Sequence, residues 1–327
     1  MSLAELFGFG FMQRALLAAL ISGLLCPAVG TYIVQRRLSL LGDGLGHVAI
    51  AGIGLALLTG TAPLPVAVVV CLVGAVGIEW LRASGRASAD VGLAILFYGG
   101  LSLGLLLASL GGRGTATLSQ YLFGSLITVT RADLWLIGAL AVMVLVVSLG
   151  LAPQLFSVCV DEEYARTQGL RVRALNVVIV ALAALTVTLS MRTVGLLLVS
   201  ALMVVPVAAA QNLAASFRAT LGIAMGLGVA AAGAGVLTSA AADVASGPAI
   251  VVTAIVVFGL SAAFAALRRR RHRAIADAGL PVAQTHVVAE PHPDDHRHDV
   301  AVLHDDHVDF LHDGHRHVPH DDHYDEH

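Results

Sequence analysis

Apolar stretches long enough to cross a bilayer recur along this chain near residues 12–34, 39–60, 63–81, 91–110, 133–153, 174–191, 193–212, 219–240 and 248–267. About 20 apolar residues in a helix match the ~30 Å hydrocarbon core, and a helix satisfies every backbone group inside one segment, as lipid demands. The pattern predicts an all-α polytopic membrane bundle of eight or nine transmembrane helices; the tight junction at Arg192-Thr193 leaves the count open. Composition agrees, since 57% of the 327 residues are hydrophobic and only 13% charged, a balance foreign to soluble domains. Thr61-Ala-Pro-Leu-Pro65 and Ser246-Gly-Pro248 are turn signals between spans. Residues 111–128 hold a segment too short to span, expected to lie at the interface or to re-enter.

Charge divides the chain in two. Residues 1–273 carry 17 Arg against 9 acids, and residues 274–327 carry 2 Arg against 13 acids. The expected organisation is a transmembrane domain over 1–273 and a separate cytoplasmic tail over 274–327. There is no lysine, so a GK[ST] phosphate loop is excluded and any nucleotide energy must come from another polypeptide. With Arg36 and Arg37 set toward the cytoplasm and nine spans alternating, thirteen arginines of residues 1–273 fall inside and four outside. This puts the N-terminus outside and the tail in the cytoplasm, in a multi-pass protein of the inner (plasma) membrane. Residues 12–34 are expected to persist as the first span: Glu5 precedes the first arginine, and Leu25 stands before Cys26 where a lipoprotein signal needs a small residue. Cys26, Cys71 and Cys159 are scattered and suggest packing, not a disulfide framework.

His47 is the one histidine of residues 1–271, four positions after Asp43 in an apolar run. An ionisable side chain in a span costs several kcal/mol and is normally kept for function and paired. The i, i+4 spacing puts both on one helical face, and carboxylate plus imidazole is half a site for Zn2+, Mn2+ or Fe2+. The bland alternative is a hydrogen-bonded pair that fixes packing. Counting from Arg37, His47 lies about 15 Å into the bilayer, the depth at which transporters hold cations. Glu79 with Trp80 and Arg82 reads as an interfacial anchor, and Asp90 and Asp133 as helix starts. Asp243 is expected near the outer surface, as a loop residue or a guide for cations.

Asp161-Glu162-Glu163-Tyr-Ala165-Arg-Thr-Gln-Gly169 is a polar, helix-prone segment with an acidic start and a glycine stop. It is either a solvated loop or a docking helix for a cytoplasmic partner. Residues 286–327 hold twelve histidines, among them His296, His298, His304, His307, His312, His315, His317, His320 and His323, interspersed with aspartates. So little apolar content predicts disorder, with zinc held at many interchangeable weak sites or, failing that, a merely solubilising tail.

Four stretches in order carry a family likeness: Arg36-Arg-Leu-Ser-Leu-Leu-Gly-Asp43-Gly-Leu-Gly-His47, Tyr121-Leu-Phe-Gly-Ser125, Asp161 to Gly169, and Thr193-Val-Gly-Leu-Leu-Leu-Val-Ser-Ala-Leu-Met-Val-Val-Pro206-Val-Ala-Ala-Ala-Gln-Asn212. Over residues 5–268 the chain resembles the permease subunit of metal-cation ABC importers of the zinc/manganese/iron type. The resemblance implies a type II ABC importer-like bundle acting as a homodimer, with no catalysis of its own and no tightly bound cofactor. An extracytoplasmic metal-binding protein would feed it and a cytoplasmic ABC ATPase subunit would drive it; nucleic acid has no part. Asp43 and His47 would be transient ligands on the translocation path, and Asp161, Glu162, Glu163, Ala165 and Gly169 would belong to the ATPase coupling helix. Gly44 and Gly46 replace the Ala and Ser common in the family; Gly42 and Gly46 form a small-xxx-small pair suited to close helix approach. The competing functions are a secondary metal transporter, proton-coupled or exporting, and an ABC permease for a metal chelate. An intramembrane metalloprotease is excluded, because no HExxH helix exists.

Overall fold

The computed structural model describes residues 10–85, 88–112, 121–122, 131–191, 195–242 and 244–278, and the backbone of five short segments between 288 and 326. The chain divides into two compact units, Met1–Ala266 and Leu267–His327. The first is helical: α1 (Gly10–Gln35), α2 (Leu41–Thr59), α3 (Pro63–Ala83), α4 (Ala89–Ala94), a π-helical turn (Ile95–Gly99), α5 (Gly100–Leu110), α6 (Arg131–Gly150), α7 (Ala152–Val160), α8 (Glu162–Thr167), α9 (Val172–Met191), α10 (Leu196–Leu213) and α11 (Phe217–Ala242). α12 (Ser246–Ala278) follows.

Among the described residues, seven helices are long and apolar enough to cross a membrane, and an eighth span is formed if α6 and α7 count as one. That pair bends by 65°, because Pro153 in the first turn of α7 has no N–H to give and its ring crowds the preceding carbonyls. The expected span over 193–212 corresponds to α10, an 18-residue helix. The segment expected to be interfacial or re-entrant at 111–128 lies mostly outside the described residues, as do Arg192, Asp243 and residues 193–194.

α2 is the inner helix: 78% of its apolar window is buried, against 22% for α12. It packs on α5, α3 and α9, while α1 packs on α11 and α10. Its glycines explain how one helix touches so many neighbours. Gly42 faces Ser200 and Met203 of α10, Gly46 faces Leu196 of the same helix, Gly44 faces Leu96 in the π-helical turn, and Gly52 lies against the backbone of Ala67 in α3. The expected close approach at Gly42 and Gly46 is therefore made, and α10 is the partner.

In the tail, short backbone segments are described as strands. Strands β1 (Val288–Ala289), β2 (Val300–His304), β3 (His307–His312), β4 (His315–His320) and β5 (His323–Glu326) pair antiparallel in the order β1-β5-β4-β3-β2. Val, Leu, Phe and Tyr placed among the histidines supply strand-forming residues, and two-residue links join β2 to β3, β3 to β4 and β4 to β5.

Candidate functional site

α2 begins at Leu41, so Asp43 stands in its first turn, where the helix dipole favours a carboxylate. His47 is one turn further, about 5 Å short of the helix midpoint. Asp43 is half-buried and lines a cleft of ≈ 330 Å³ with Leu40, Leu93, Ala94, Phe97 and Tyr98. The Ser200 hydroxyl donates to Asp43 Oδ1 at 2.7 Å. His47 is 5% exposed, and its ring meets Phe97 edge-on with centroids 4.1 Å apart. Its Nδ1 is buried and has no hydrogen-bond partner among the described residues.

Asp43 takes a hydrogen bond from Ser200, and His47 Nδ1 has no partner among the described residues. Burying such a group without a partner costs about 1–3 kcal/mol. A carboxylate and an imidazole on one helical face are a candidate pair of cation ligands. No group of three His, Cys, Asp or Glu side chains is found among the described residues.

Sequence reasoning missed Ser200 and Phe97. Ser200 lies in the fourth matched stretch, and its i, i+3 neighbour Met203 faces the same glycine of α2. Phe97 is carried toward His47 by the π-helical turn, for which the sequence holds no signal. Ser200→Ala removes a hydrogen bond to a charged acceptor, worth about 1.5–3 kcal/mol. It is expected to alter the apparent KM for metal several-fold while uptake persists, measured by metal uptake against concentration.

At the Arg36 end of the bundle, α8 is capped by its own sequence. Asp161 accepts from the backbone N–H groups of Glu163 and Tyr164 at 2.9 and 3.0 Å. Gly169, at φ +78°, ends the helix; its N–H reaches Arg166 O, and that of Leu170 reaches Ala165 O, the Schellman pattern. Ala165 is fully buried against Val158 and Val172. Gly169→Ala forces a side chain into the left-handed region and is expected to cost about 1 kcal/mol, read as a lower melting temperature of the purified protein.

Glu162 faces the bundle and the remaining polar residues face out. Its Oε1 meets Arg36 at 2.7 Å and Arg82 at 3.3 Å, and accepts from the Asn176 amide at 3.1 Å. Arg82 is also held bidentately by Glu79, at 2.8 and 2.9 Å. Glu79 is buried, so it belongs to this clamp and is not the interfacial anchor expected from its neighbours. Burial alone would push the Glu162 carboxyl up; the Asn176 hydrogen bond and the Arg82 and Arg36 guanidiniums overcome it and hold the group below the ordinary carboxylate range. Four elements thus meet at one carboxylate: α1 through Arg36, α3 through Arg82, α9 through Asn176, and α8 itself. Glu163, Tyr164, Arg166 and Gln168 are exposed, beside a cleft of ≈ 440 Å³ lined by Arg166, Arg171, Val172 and Arg173.

The model of the ABC 3 transport family matches residues 8–265. The chain belongs to that family. It is 31% identical over 258 residues to the manganese transport system membrane protein MntC of Halalkalibacterium halodurans, covering 79% of this chain and 88% of that one. It is 30% identical over 253 residues to the high-affinity zinc uptake system membrane protein ZnuB of Haemophilus influenzae, covering 77% and 97%. Among solved structures it matches a chain of PsaBC from Streptococcus pneumoniae in complex with Fab, with a TM-score of 0.72 at 27% identity over 79% of this chain and 93% of that one. The protein is thus a multi-pass membrane permease of the metal ABC importer family, and ATP hydrolysis belongs to a separate subunit. This removes the secondary-transporter alternative. Of the tail histidines singled out, His296 and His298 lie outside the described residues, and the other seven fall in β2 to β5.

Proposed function

We propose that this ABC 3 family permease imports a divalent transition-metal cation, Zn2+ foremost, along a path lined by Asp43 and His47. The observation that carries the reading is the buried, unpaired Nδ1 of His47 on the same helical face as a cleft-lining carboxylate. Two ligands bind a cation loosely, and a permease must release what it binds. Water or a second protomer of a homodimer would complete the shell. The Zn2+ assignment draws on the imidazole and on the zinc relative; the carboxylate and the manganese relative make Mn2+ the next candidate.

The same reading gives α8 its role. The positive-inside pattern sets Arg36, Arg82 and the tail in the cytoplasm of an inner-membrane protein, where the exposed face of α8 would rest on the ATPase. Glu162 then couples displacement of α8 to the ends of α1 and α3. α1 leads directly into α2, and α3 packs on α2, so the motion reaches the helix that holds the cation. An extracytoplasmic binding protein would deliver metal at the far side.

The test is uptake in metal-starved cells, with Zn, Mn and Fe counted in parallel, expressing the permease with its binding protein and with or without the cognate ATPase. Accumulation of one metal only when the ATPase is present supports the reading and names the cargo. Accumulation independent of the ATPase, or of a chelate but not the free ion, overturns it.

A further inference from the structure

The helix that runs from Ala89 to Leu110 changes geometry where it passes His47. Between α4 and α5, the five residues Ile95–Gly99 form the π turn. Such a turn holds one residue more per hydrogen-bonded loop than an α-helix, is rare, and is frequent at functional sites. Here it carries Phe97, whose ring meets the His47 imidazole edge-on with centroids 4.1 Å apart. Phe97 also lines the ≈ 330 Å³ cleft, and the described residues lining that cleft include Asp43 and exclude His47. The cleft therefore opens on the carboxylate and stops at Phe97. Beyond the ring lies the imidazole, 5% exposed.

The two sides of the π turn are held unequally. α5 packs along α2, with Gly100 and Gly104 against the α2 backbone, whereas α4 makes little contact with α2. On the α4 side, Val91, Ile95 and Tyr98 are each more than half exposed. Returning the turn to α geometry takes one residue out of the loop and rotates α4 by about 100° relative to α5, the angle per residue of a 3.6-residue turn. With α5 fixed on α2, that rotation swings Phe97 around the helix axis and off His47.

We propose that Phe97 is a gate between the two candidate ligands. It shields His47 from the cleft in this conformation, and it turns aside with the π segment when a cation passes between His47 and Asp43. An apolar ring gives the ion no ligand, so the closed gate holds it on one side and keeps metal from falling back. The gating role rests on the pore reading of Asp43 and His47; the shielding of His47 does not.

Access and transport are measured separately. For access, His47→Cys is introduced into the purified permease–ATPase complex, and its rate of reaction with a cationic methanethiosulfonate is followed. Cys26, Cys71 and Cys159 are buried, and the complex without His47→Cys gives the background. Adding Phe97→Ala is expected to raise the rate about tenfold, because a covered group reacts only when its cover opens. Phe97→Leu, which keeps more bulk and a second chance of a folded variant, is expected to give a smaller rise. Ile95→Ala, in the same turn but outside the cleft lining, is expected to leave the rate unchanged. For transport, ATP hydrolysed per metal ion imported is measured in proteoliposomes that retain His47. Phe97→Ala is expected to raise this ratio about fivefold as ions slip back through an open path, and Phe97→Leu to restore most of the coupling. Labelling that is equal with and without Phe97, or equally raised by Ile95→Ala, overturns the shield. Faster labelling with unchanged coupling overturns the gate. In that case Asp43→Asn separates the causes: if it loses uptake the gate alone fails, and if it transports normally the pore reading fails with it.

Discussion

Gly100→Ala is expected to abolish metal uptake, while the same change at the adjacent Gly99 leaves it intact. A Cβ on Gly100 would stand 2.6 Å from the carbonyl carbon of His47 and from the backbone nitrogen of Val48. Backbone cannot rotate away, so α5 must lift off α2 at the level of the candidate metal ligand. One turn later Gly104 meets Ile50 and Ala51 in the same manner, at 2.8 and 2.9 Å from their backbone atoms. The two make a Gly-xxx-Gly seam. Overpacking of this kind costs about 1–3 kcal/mol and at times more, and here the displaced atoms include those that set the position of His47. A Cβ on Gly99 meets nothing within 4 Å, so Gly99→Ala is expected to be neutral or to gain a few tenths of a kcal/mol from helix propensity. Membrane content and thermal unfolding of both variants, measured beside uptake, separate a displaced site from a chain that fails to insert. Equal uptake by the two variants would show that the α2–α5 contact does not position the path.

Glu162→Ala is expected to break coupling as well as stability. Arg36 has a side chain only 6% exposed, and its closest acid is Glu162. Removing one partner of a buried ion pair costs about 3–5 kcal/mol; Glu162 is a third exposed, so solvent takes up part of the loss and about 2 kcal/mol is expected. Uptake should fall further than stability accounts for, because α1, α3 and α9 lose their shared link to α8. Glu162→Gln keeps an acceptor for Asn176 and Arg36 and is expected to be milder. The pH dependence has a definite sign. The folded-state value lies below the ordinary value of 4.5, so the contribution is complete above pH ~4.5 and is lost as pH falls through the lower folded value. Wild type should therefore lose part of its melting temperature in that acid window, and Glu162→Gln should lack that component. ATPase stimulation measured in the same variants reports the coupling directly.

The residues that matter were legible in the sequence to different degrees, for physical reasons. Asp43 and His47 stood out because charge in an apolar run is costly and therefore conspicuous. The bounds of α8 were legible because Asp161 and Gly169 are local caps whose signals act within a few positions. The orientation of Glu162 was not, because its partners are drawn from α1, α3 and α9, 126, 80 and 14 positions away. Gly100 and Gly104 passed unremarked among the 34 glycines; only the crossing of α5 over α2 shows which ones a side chain would disrupt. Spans were read well from hydropathy, but hydropathy is blind to the Pro153 bend.

The measurement that bears most directly on the central claim is metal uptake by Asp43→Asn and His47→Ala, with ATPase activity followed in the same membranes. Both variants are expected to insert, to retain basal ATP hydrolysis through an intact α8, and to lose uptake at least 100-fold. Normal uptake in both would contradict the assignment and leave the pair a packing feature of α2.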